Sequence, residues 1–353
     1  MLAPTAAALS AHVIRCAQVT KIGAAKDAIA TAELPMTSIA LAENELLVRT
    51  SFAGLNFIDT YYRSGLYNNG KGFPYVTGDE GSGAVVQLGP NAAPAWLGKR
   101  VAFFRVRPVT SGACAAFTIL HQDDAIEVPA TVTDETAAAV LLQGLTAHYL
   151  THDCYRVGPG STVVVHAAAG GTGLLISQIA KIRGATNVIG ICGGAEKCDL
   201  ARRVGKVDTV IDYTTPDGAD WAKKIRSEIC PTGVDAVFDG VGKATFLEGL
   251  KVLRPRGHMV TFGNASGAVE PIAPLLLTKY GSLVLQRPTL NHFIDRASGE
   301  LDARVRDVFS WLREGSLQVH VGKVFPSLAH VADAHALIES KASTGKILIN
   351  CQE

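Results

Sequence analysis

A short apolar strand, Ser161 to Val165, runs into His166-Ala167-Ala168-Ala169-Gly170-Gly171-Thr172-Gly173, and a helix carrying Leu174, Leu175, Ile176, Ile179 and Ile182 opens directly after it. Small residues at such a junction let the backbone approach a pyrophosphate. The helix start adds unpaired N–H groups and the positive end of its dipole. The chemistry implied is dinucleotide binding, with Ala169, Gly170, Gly171 and Thr172 against the phosphates. Ala168-x-Gly170-x-x-Gly173 departs from G-x-G-x-x-G only at its first position, where alanine is a mild change. A glycine-rich turn alone is often just a tight connection, and the strand before and helix after give this one its meaning.

A site for NAD usually places Asp or Glu about 20 residues after the turn, at the end of the second strand, to bind the ribose 2′-OH. Here that strand runs into Gly190-Ile191-Cys192-Gly193-Gly194-Ala195-Glu196-Lys197. Gly193 leaves room and no carboxylate, and Lys197 brings a cation suited to a 2′-phosphate. Tyr213, just past the third strand, is positioned to close the same pocket. The competing reading makes Lys197 a solvated helix residue and Glu196 a displaced ribose ligand. The missing acid and the available lysine agree on NADPH.

The elements that must position these groups follow from texture. From Glu45 to Thr131 short strands alternate with turns: Leu46 to Thr50, Gly83 to Leu88, Arg100 to Phe104 and Ala116 to Leu120. From about Asp134 helix and strand alternate, with strands at Ser161 to Val165, Asn187 to Ile191, Thr209 to Ile211, Val234 to Phe238, His258 to Phe262 and Ser282 to Leu285. The expected fold class is α/β, a doubly wound parallel Rossmann sheet joined to a β-rich domain. A helix from Arg304 to Arg313, the strand Val319 to Phe325 and a final helix and strand are expected to complete the first domain's sheet. The cleft between the domains is the expected place for dinucleotide and substrate.

Length and composition bound the answer. A chain of 353 residues exceeds one core's usual capacity. Lys+Arg at 33 against Asp+Glu at 32 leaves no excess charge to draw nucleic acid or an anionic membrane. Nucleic acid and membrane are therefore not expected partners. No apolar run approaches a bilayer span and no secretory pattern opens the chain, so a cytoplasmic protein is expected, with a short extension before Val13. Residues Met1 to Lys26 carry no acid, a composition also compatible with an organellar transit peptide. The 7 cysteines are scattered and form no C-x-x-C, as suits reduced thiols.

With the turn placed, Asn56-Phe57-Ile58-Asp59-Thr60-Tyr61-Tyr62-Arg63-Ser64-Gly65-Leu66-Tyr67, Phe262-Gly263-Asn264-Ala265-Ser266-Gly267 and Arg287-Pro288 become informative. Together with His166 to Gly173 they closely resemble the zinc-independent, zeta-crystallin-like quinone oxidoreductases of the medium-chain dehydrogenase/reductase superfamily. The resemblance runs from about Val13 to Ile349. It implies a GroES-like domain split between residues 1–140 and 289–353, with a Rossmann NADP-binding domain at 141–288. It also implies a homodimer formed through the last Rossmann strand, Ser282 to Gln286. Where zinc-containing relatives carry a cysteine this chain has Asn56; where they carry G-H-E it has Gly78-Asp79-Glu80; where a second cysteine would fall it has Gln143. No ligand triad survives, so no metal is expected, and Asp79 and Glu80 are expected to form a turn and ion pairs.

Alcohol oxidation leans on a Lewis acid, whereas quinones and activated enones are already electron-poor. The resemblance therefore implies hydride or electron delivery to an easily reduced acceptor, helped by orientation and exclusion of water. Asn56 and Tyr61 are the catalytic candidates, the amide on a ribose hydroxyl and the phenol donating to the acceptor or fixing the cofactor. Thr146 is expected on the nicotinamide side, and Phe262, Gly263 and Asn264 at the fifth strand's end. Arg287 and Lys346 are candidate phosphate partners, or else surface or interface cations; Tyr62, Arg63 and Tyr67 are candidates for the acceptor entrance. Three activities fit: an NADPH:quinone oxidoreductase, an enone or alkenal double-bond reductase on the same scaffold, and a non-catalytic NADPH-binding protein of the crystallin or RNA-binding kind.

Overall fold

The structure is a computed structural model that describes residues 13–35, 40–68, 70, 72–104 and 111–352. The expected N-terminal extension before Val13, residues 1–12, lies outside them. The chain divides into two compact units, Met1–Leu142 with Val321–Glu353, and Gln143–His320.

Strands β1 (Val13–Val19), β2 (Ile29–Pro35), β3 (Glu45–Leu55), β4 (Tyr75–Val76), β5 (Glu80–Leu88), β6 (Arg100–Phe104), β7 (Phe117–His121) and β8 (Ile126–Glu127) belong to the first unit. The second holds β9 (Thr162–His166), β10 (Asn187–Cys192), β11 (Thr209–Asp212), β12 (Val234–Asp239), β13 (Leu253–Thr261) and β14 (Val284–Gln286). The chain then returns to the first with β15 (Val321–Phe325) and β16 (Lys346–Asn350).

In the first unit β2-β1-β4 form one sheet and β15-β16-β3-β5-β6-β8 the path of another, with β7 also paired to β3. Leu46, Val48, Leu55, Val101, Phe103, Ile347 and Ile349 meet in one buried cluster. Each such side chain contributes about 1.5–3 kcal/mol on leaving water. β16 runs antiparallel to β3, Ile347 opposite Leu55 and Asn350 opposite Phe52. This register brings the C-terminal Lys346 to the point where β3 runs into Asn56.

The second unit is a six-stranded sheet in the order β11-β10-β9-β12-β13-β14, parallel throughout. Its central strands read as continuous apolar runs, Val163-Val164-Val165 for example, and these consecutive residues, which point to opposite faces, are all buried. The strand order reverses between β9 and β12, and the turn after β9 sits at that switch point.

One boundary differs from expectation. Residues 289–320 join the second unit, because the Glu300–Glu314 helix is anchored there through Arg304. Its nearly buried guanidinium reaches Asp153 at 2.8 Å and His148 Nδ1 at 3.0 Å, and donates to the Phe293 carbonyl. Pro288 suggested a domain end, but contacts across the chain decide membership. Among the described residues no helix is long and apolar enough to cross a membrane.

Candidate active site

The turn after β9 has the form a phosphate cradle needs. Ala167 adopts a left-handed backbone, φ 51°, and the Gly170 N–H closes on its carbonyl at 2.8 Å. The Gly171–Ile182 helix then begins with Gly170 as its N-cap and no side-chain cap. Its first N–H groups are left for an external acceptor. A Cβ on Gly173 would lie 2.3 Å from the Ala167 carbonyl oxygen, so only glycine lets the helix pack this close to the turn. A Cβ on Gly171 would lie 2.0 Å from Gln143 Oε1, and that buried oxygen accepts no hydrogen bond in the structure. Thr146 lies further along the same Asp134–Tyr149 helix and is half-buried.

At the end of β10 the structure brings Gly193 and Tyr213 together. A Cβ on Gly193 would lie 2.6 Å from the Tyr213 ring, so the ring rests on bare backbone. Lys197 lies in the first turn of the Ala195–Arg203 helix, where burial lowers its pKa. Sequence reading overlooked Asp212, at the end of β11. Its Oδ1 accepts from Gly194 N–H at 2.9 Å and from both the N–H and the hydroxyl of Thr214, which hold the carboxyl below its ordinary pKa. An acid thus stands beside the pocket, on the third strand rather than the second.

The ends of β12, β13 and β14 gather the next set. A Cβ on Gly263 would meet the Gly240 carbonyl oxygen at 2.3 Å, and one on Gly240 would meet the Phe262 ring at 3.0 Å. Phe262, Gly263 and the neighbouring Asn264 therefore lie against the loop that follows β12. Arg287 donates to the Thr261 carbonyl at 3.2 Å, tying it to the same strand ends. Asp239 Oδ1 accepts from Val241 N–H, Gly242 N–H and the Thr245 hydroxyl. Its Oδ2, with His166 Nε2 and Thr261 Oγ1 on the flanking strands, is buried and makes no hydrogen bond in the structure. Burial keeps His166 neutral by lowering its pKa, against the opposing charge of Asp239. An Asp-Gly pair after a strand was the only sequence signal for this cluster.

In the first unit the position of Asn56 is fixed from several sides. Its Nδ2 donates to Glu80 Oε2 at 2.8 Å and to the Gly54 carbonyl at 3.1 Å, while Oδ1 accepts from Lys346 Nζ at 2.8 Å. Both amide hydrogens are therefore committed within the protein, which leaves the expected ribose contact only the second lone pair of Oδ1. Lys346 is 1% exposed and pairs with Glu80, itself 0% exposed, at 2.5 Å. It is not a surface or interface cation, and Glu80 already balances its charge. The Leu142 N–H, at 2.8 Å, occupies the other Glu80 oxygen. Tyr61 is almost buried, its ring edge-on to Tyr67 at 5.1 Å. Arg63, expected at an acceptor entrance, is instead buried and paired with Glu339.

Asp59, in the first turn of the Phe57–Ser64 helix, accepts from the Asn56 N–H at 2.8 Å. Burial pushes its pKa up to about 7; Asp79 adds to this and the Asn56 N–H opposes it. The folded protein thus holds this proton more tightly than the unfolded chain, whose carboxyl titrates near about 4. Stability from this group is fully present below about 4 and falls as pH rises toward about 7, by a few kcal/mol. Asp59→Asn keeps an acceptor for the Asn56 N–H and should lack that slope. Denaturation midpoints at pH 5 and pH 8 check it, and equal slopes in variant and parent would refute the assignment.

Among the described residues no group of three or more His, Cys, Asp or Glu is placed to hold a metal ion. Two family descriptions match the chain, "Alcohol dehydrogenase GroES-like domain" over residues 42–162 and "Zinc-binding dehydrogenase" over residues 171–308. The donor set does not fit the zinc of the second name: Asn56, Asp79 and Gln143 offer neither thiolate nor imidazole, and Glu80 is paired with Lys346. The chain is 37% identical to the quinone oxidoreductase of Pseudomonas aeruginosa, over 86% of this chain and 90% of that one. It is 35% identical to the 2-haloacrylate reductase of a Burkholderia species, over 86% and 90%. Escherichia coli quinone oxidoreductase, solved in complex with NADPH, superposes with a TM-score of 0.86 at 34% identity, covering 95% of this chain and 99% of that one. A GroES-like unit, a Rossmann sheet with its glycine turn at the switch point, and these relatives agree: the chain belongs to the quinone oxidoreductase family of the medium-chain dehydrogenase/reductase superfamily.

Proposed function

We propose that this protein is an NADPH-dependent quinone oxidoreductase that works without a metal. The observation that carries the reading is the uncapped, glycine-cradled helix start at the sheet's switch point, in a chain so similar to quinone oxidoreductases. The E. coli relative's NADPH complex supports the choice of cofactor. When bound, NADPH supplies the hydride. The N–H groups after Gly170 hold its pyrophosphate, Gly193 and Tyr213 accept the adenosine end, and Lys197 pairs with the 2′-phosphate. Thr146, with Phe262, Gly263 and Asn264, lines the nicotinamide side, and Arg287 steadies the strand ends. Lys346 and Glu80 hold Asn56 in place. Tyr61 donates to the acceptor oxygen or fixes the cofactor.

The Burkholderia relative, a reductase of 2-haloacrylate by name, supports a second reading with an α,β-unsaturated acceptor. Oxidation of NADPH and NADH is to be followed with a 1,4-quinone and with an unsaturated ketone, in the parent and in Lys197→Ala. Removing a charged partner of the 2′-phosphate should weaken NADPH about tenfold or more and leave NADH nearly unchanged. Turnover of the ketone but not the quinone would replace the first reading by the second; NADPH binding with neither turnover would leave the non-catalytic one.

A homodimer and a cytoplasmic location belong to the same proposal. β14 is the sheet's edge strand, with Val284 exposed, and Leu275 is 75% exposed nearby. A largely apolar pocket of about 550 Å³, lined by Leu247, Ile272 and Leu275 among others, lies on that unit. A solution mass of one chain would remove the dimer. Among the described residues all cysteines are free thiols, which supports a reducing compartment.

A further inference from the structure

Cys192 closes β10 and Cys198 lies one turn into the helix that follows, and their Sγ atoms are 3.2 Å apart. The residues between them, 193–197, include Gly193 and Lys197, the floor and the cation of the adenosine end of the site. We propose that Cys192 and Cys198 form a reversible disulfide that switches the 2′-phosphate pocket between a state competent for NADPH and one that is not. Its effect on the cofactor rests on the NADPH reading above.

The geometry favours a short step. A disulfide has an S–S length of roughly 2.05 Å, so the sulfurs must close by roughly 1.1 Å from their present separation. The strand side cannot easily yield, because Cys192 sits inside the sheet and its carbonyl accepts from the Tyr213 N–H at 3.1 Å. The helix side can yield, since Gly193 and Gly194 precede it and Gly194 already has φ 91°. Closure therefore draws in the first turn of the helix and carries Lys197, next to Cys198, away from its present position. The Gly194 N–H bond to Asp212 resists rotation of the loop, so displacement falls on the helix turn.

The two thiols are not equivalent. Burial raises the pKa of both, and the contact then separates them, holding Cys198 down and pushing Cys192 further up, as expected when the Cys192 S–H donates to Cys198. Cys198 is the first nucleophile. With a hydroperoxide as oxidant, the Cys198 thiolate attacks the O–O bond and becomes a sulfenic acid, releasing the alcohol, or water from hydrogen peroxide. Cys192 then attacks that sulfur and displaces water. Two thiols lose two protons and two electrons, and the hydroperoxide takes up both.

The full-length enzyme is to be treated with hydrogen peroxide, alkylated after denaturation and mapped by mass spectrometry, with Cys192→Ser and Cys198→Ser in parallel. The expected result is one species that carries no alkyl group on either cysteine and has the summed mass of the two unalkylated peptides less about 2 Da, the two hydrogens lost on oxidation. It is linked between the peptides holding Cys192 and Cys198, absent from both variants and reversed by dithiothreitol. NADPH titration of the oxidised protein should give an affinity about tenfold weaker, the scale of one charged hydrogen bond, with NADH affinity nearly unchanged and the variants insensitive to peroxide. Saturating NADPH should slow disulfide formation. Separate oxidation of each cysteine without a cross-link would overturn the proposal, and so would a cross-link that leaves NADPH affinity unchanged. If the reduced protein fails to bind NADPH, the cofactor reading falls and the switch with it, while the mass measurement still reports on the disulfide.

Discussion

Lys346→Met is expected to destabilise the first unit by about 3–5 kcal/mol, lowering its melting temperature by roughly 10 °C. The parent ammonium is 1% exposed and meets Glu80 and Asn56. Methionine matches its length but leaves the Glu80 carboxylate, 0% exposed, with only the Leu142 N–H and the Asn56 amide. An uncompensated buried charge is the expensive outcome; a neutral pair of similar shape is not. Lys346→Met with Glu80→Gln should therefore recover well over about 1 kcal/mol relative to the single change, a coupling that a double-mutant cycle in denaturant reads directly. A single variant within about 1 kcal/mol of the parent would mean that Lys346 does not sit between these groups. Because the same pair holds Asn56, catalytic efficiency should fall in the single variant before unfolding sets in.

Gly173→Ala is expected to weaken NADPH by about a hundredfold, near 2.7 kcal/mol. The added methyl would lie 2.3 Å from the Ala167 carbonyl oxygen and 3.0 Å from Ala168 Cα, backbone atoms that cannot swing aside. Either the helix start or the turn must move, and the N–H groups proposed to face the pyrophosphate move with it. Overpacking of this kind also costs about 1–3 kcal/mol of stability. Gly170→Ala is the internal comparison, since its methyl would lie 3.2 Å from the same oxygen at an ordinary φ of −77°. Within the protein it needs a shift of only a few tenths of an ångström, so Gly170→Ala should keep the stability that Gly173→Ala loses, while its methyl, standing where the pyrophosphate approaches, weakens NADPH as well. Quenching of protein fluorescence by NADPH measures all three proteins. Equal affinity in Gly173→Ala and the parent would show that this turn is not the phosphate cradle.

The second unit was the more legible part. Its strands are Val- and Ile-rich runs ending in small residues, a pattern that buried parallel strands produce locally. β9, β10, β11 and β12 therefore fall within a residue or so of expectation. β13 begins at Leu253, earlier than the expected His258, because Arg254-Pro255-Arg256-Gly257 reads as a turn and indeed holds Arg256 at φ 62°. β3 continues to Leu55, past the expected Thr50, because β16 covers residues 52–55. The glycine-rich turn, Gly193 at the end of β10 and the residue types at the positions where relatives carry zinc ligands could be read directly, since each depends on residue type at a short spacing.

What the sequence determined by itself was the fold class, the position of the glycine-rich turn and the family's chemistry. These rest on local periodicity and on residues adjacent in the chain. The role of Lys346 depended on pairing across 266 positions, and its burial followed only once β16 had found its register on β3. The Asp212 carboxylate beside the cofactor pocket, the Cys192–Cys198 contact and the anchoring of residues 289–320 by Arg304 were decided the same way. A charge or a thiol looks alike in sequence whether solvated or buried, and only packing, through desolvation and the partners it supplies, makes it a positioning group, a switch or a strut.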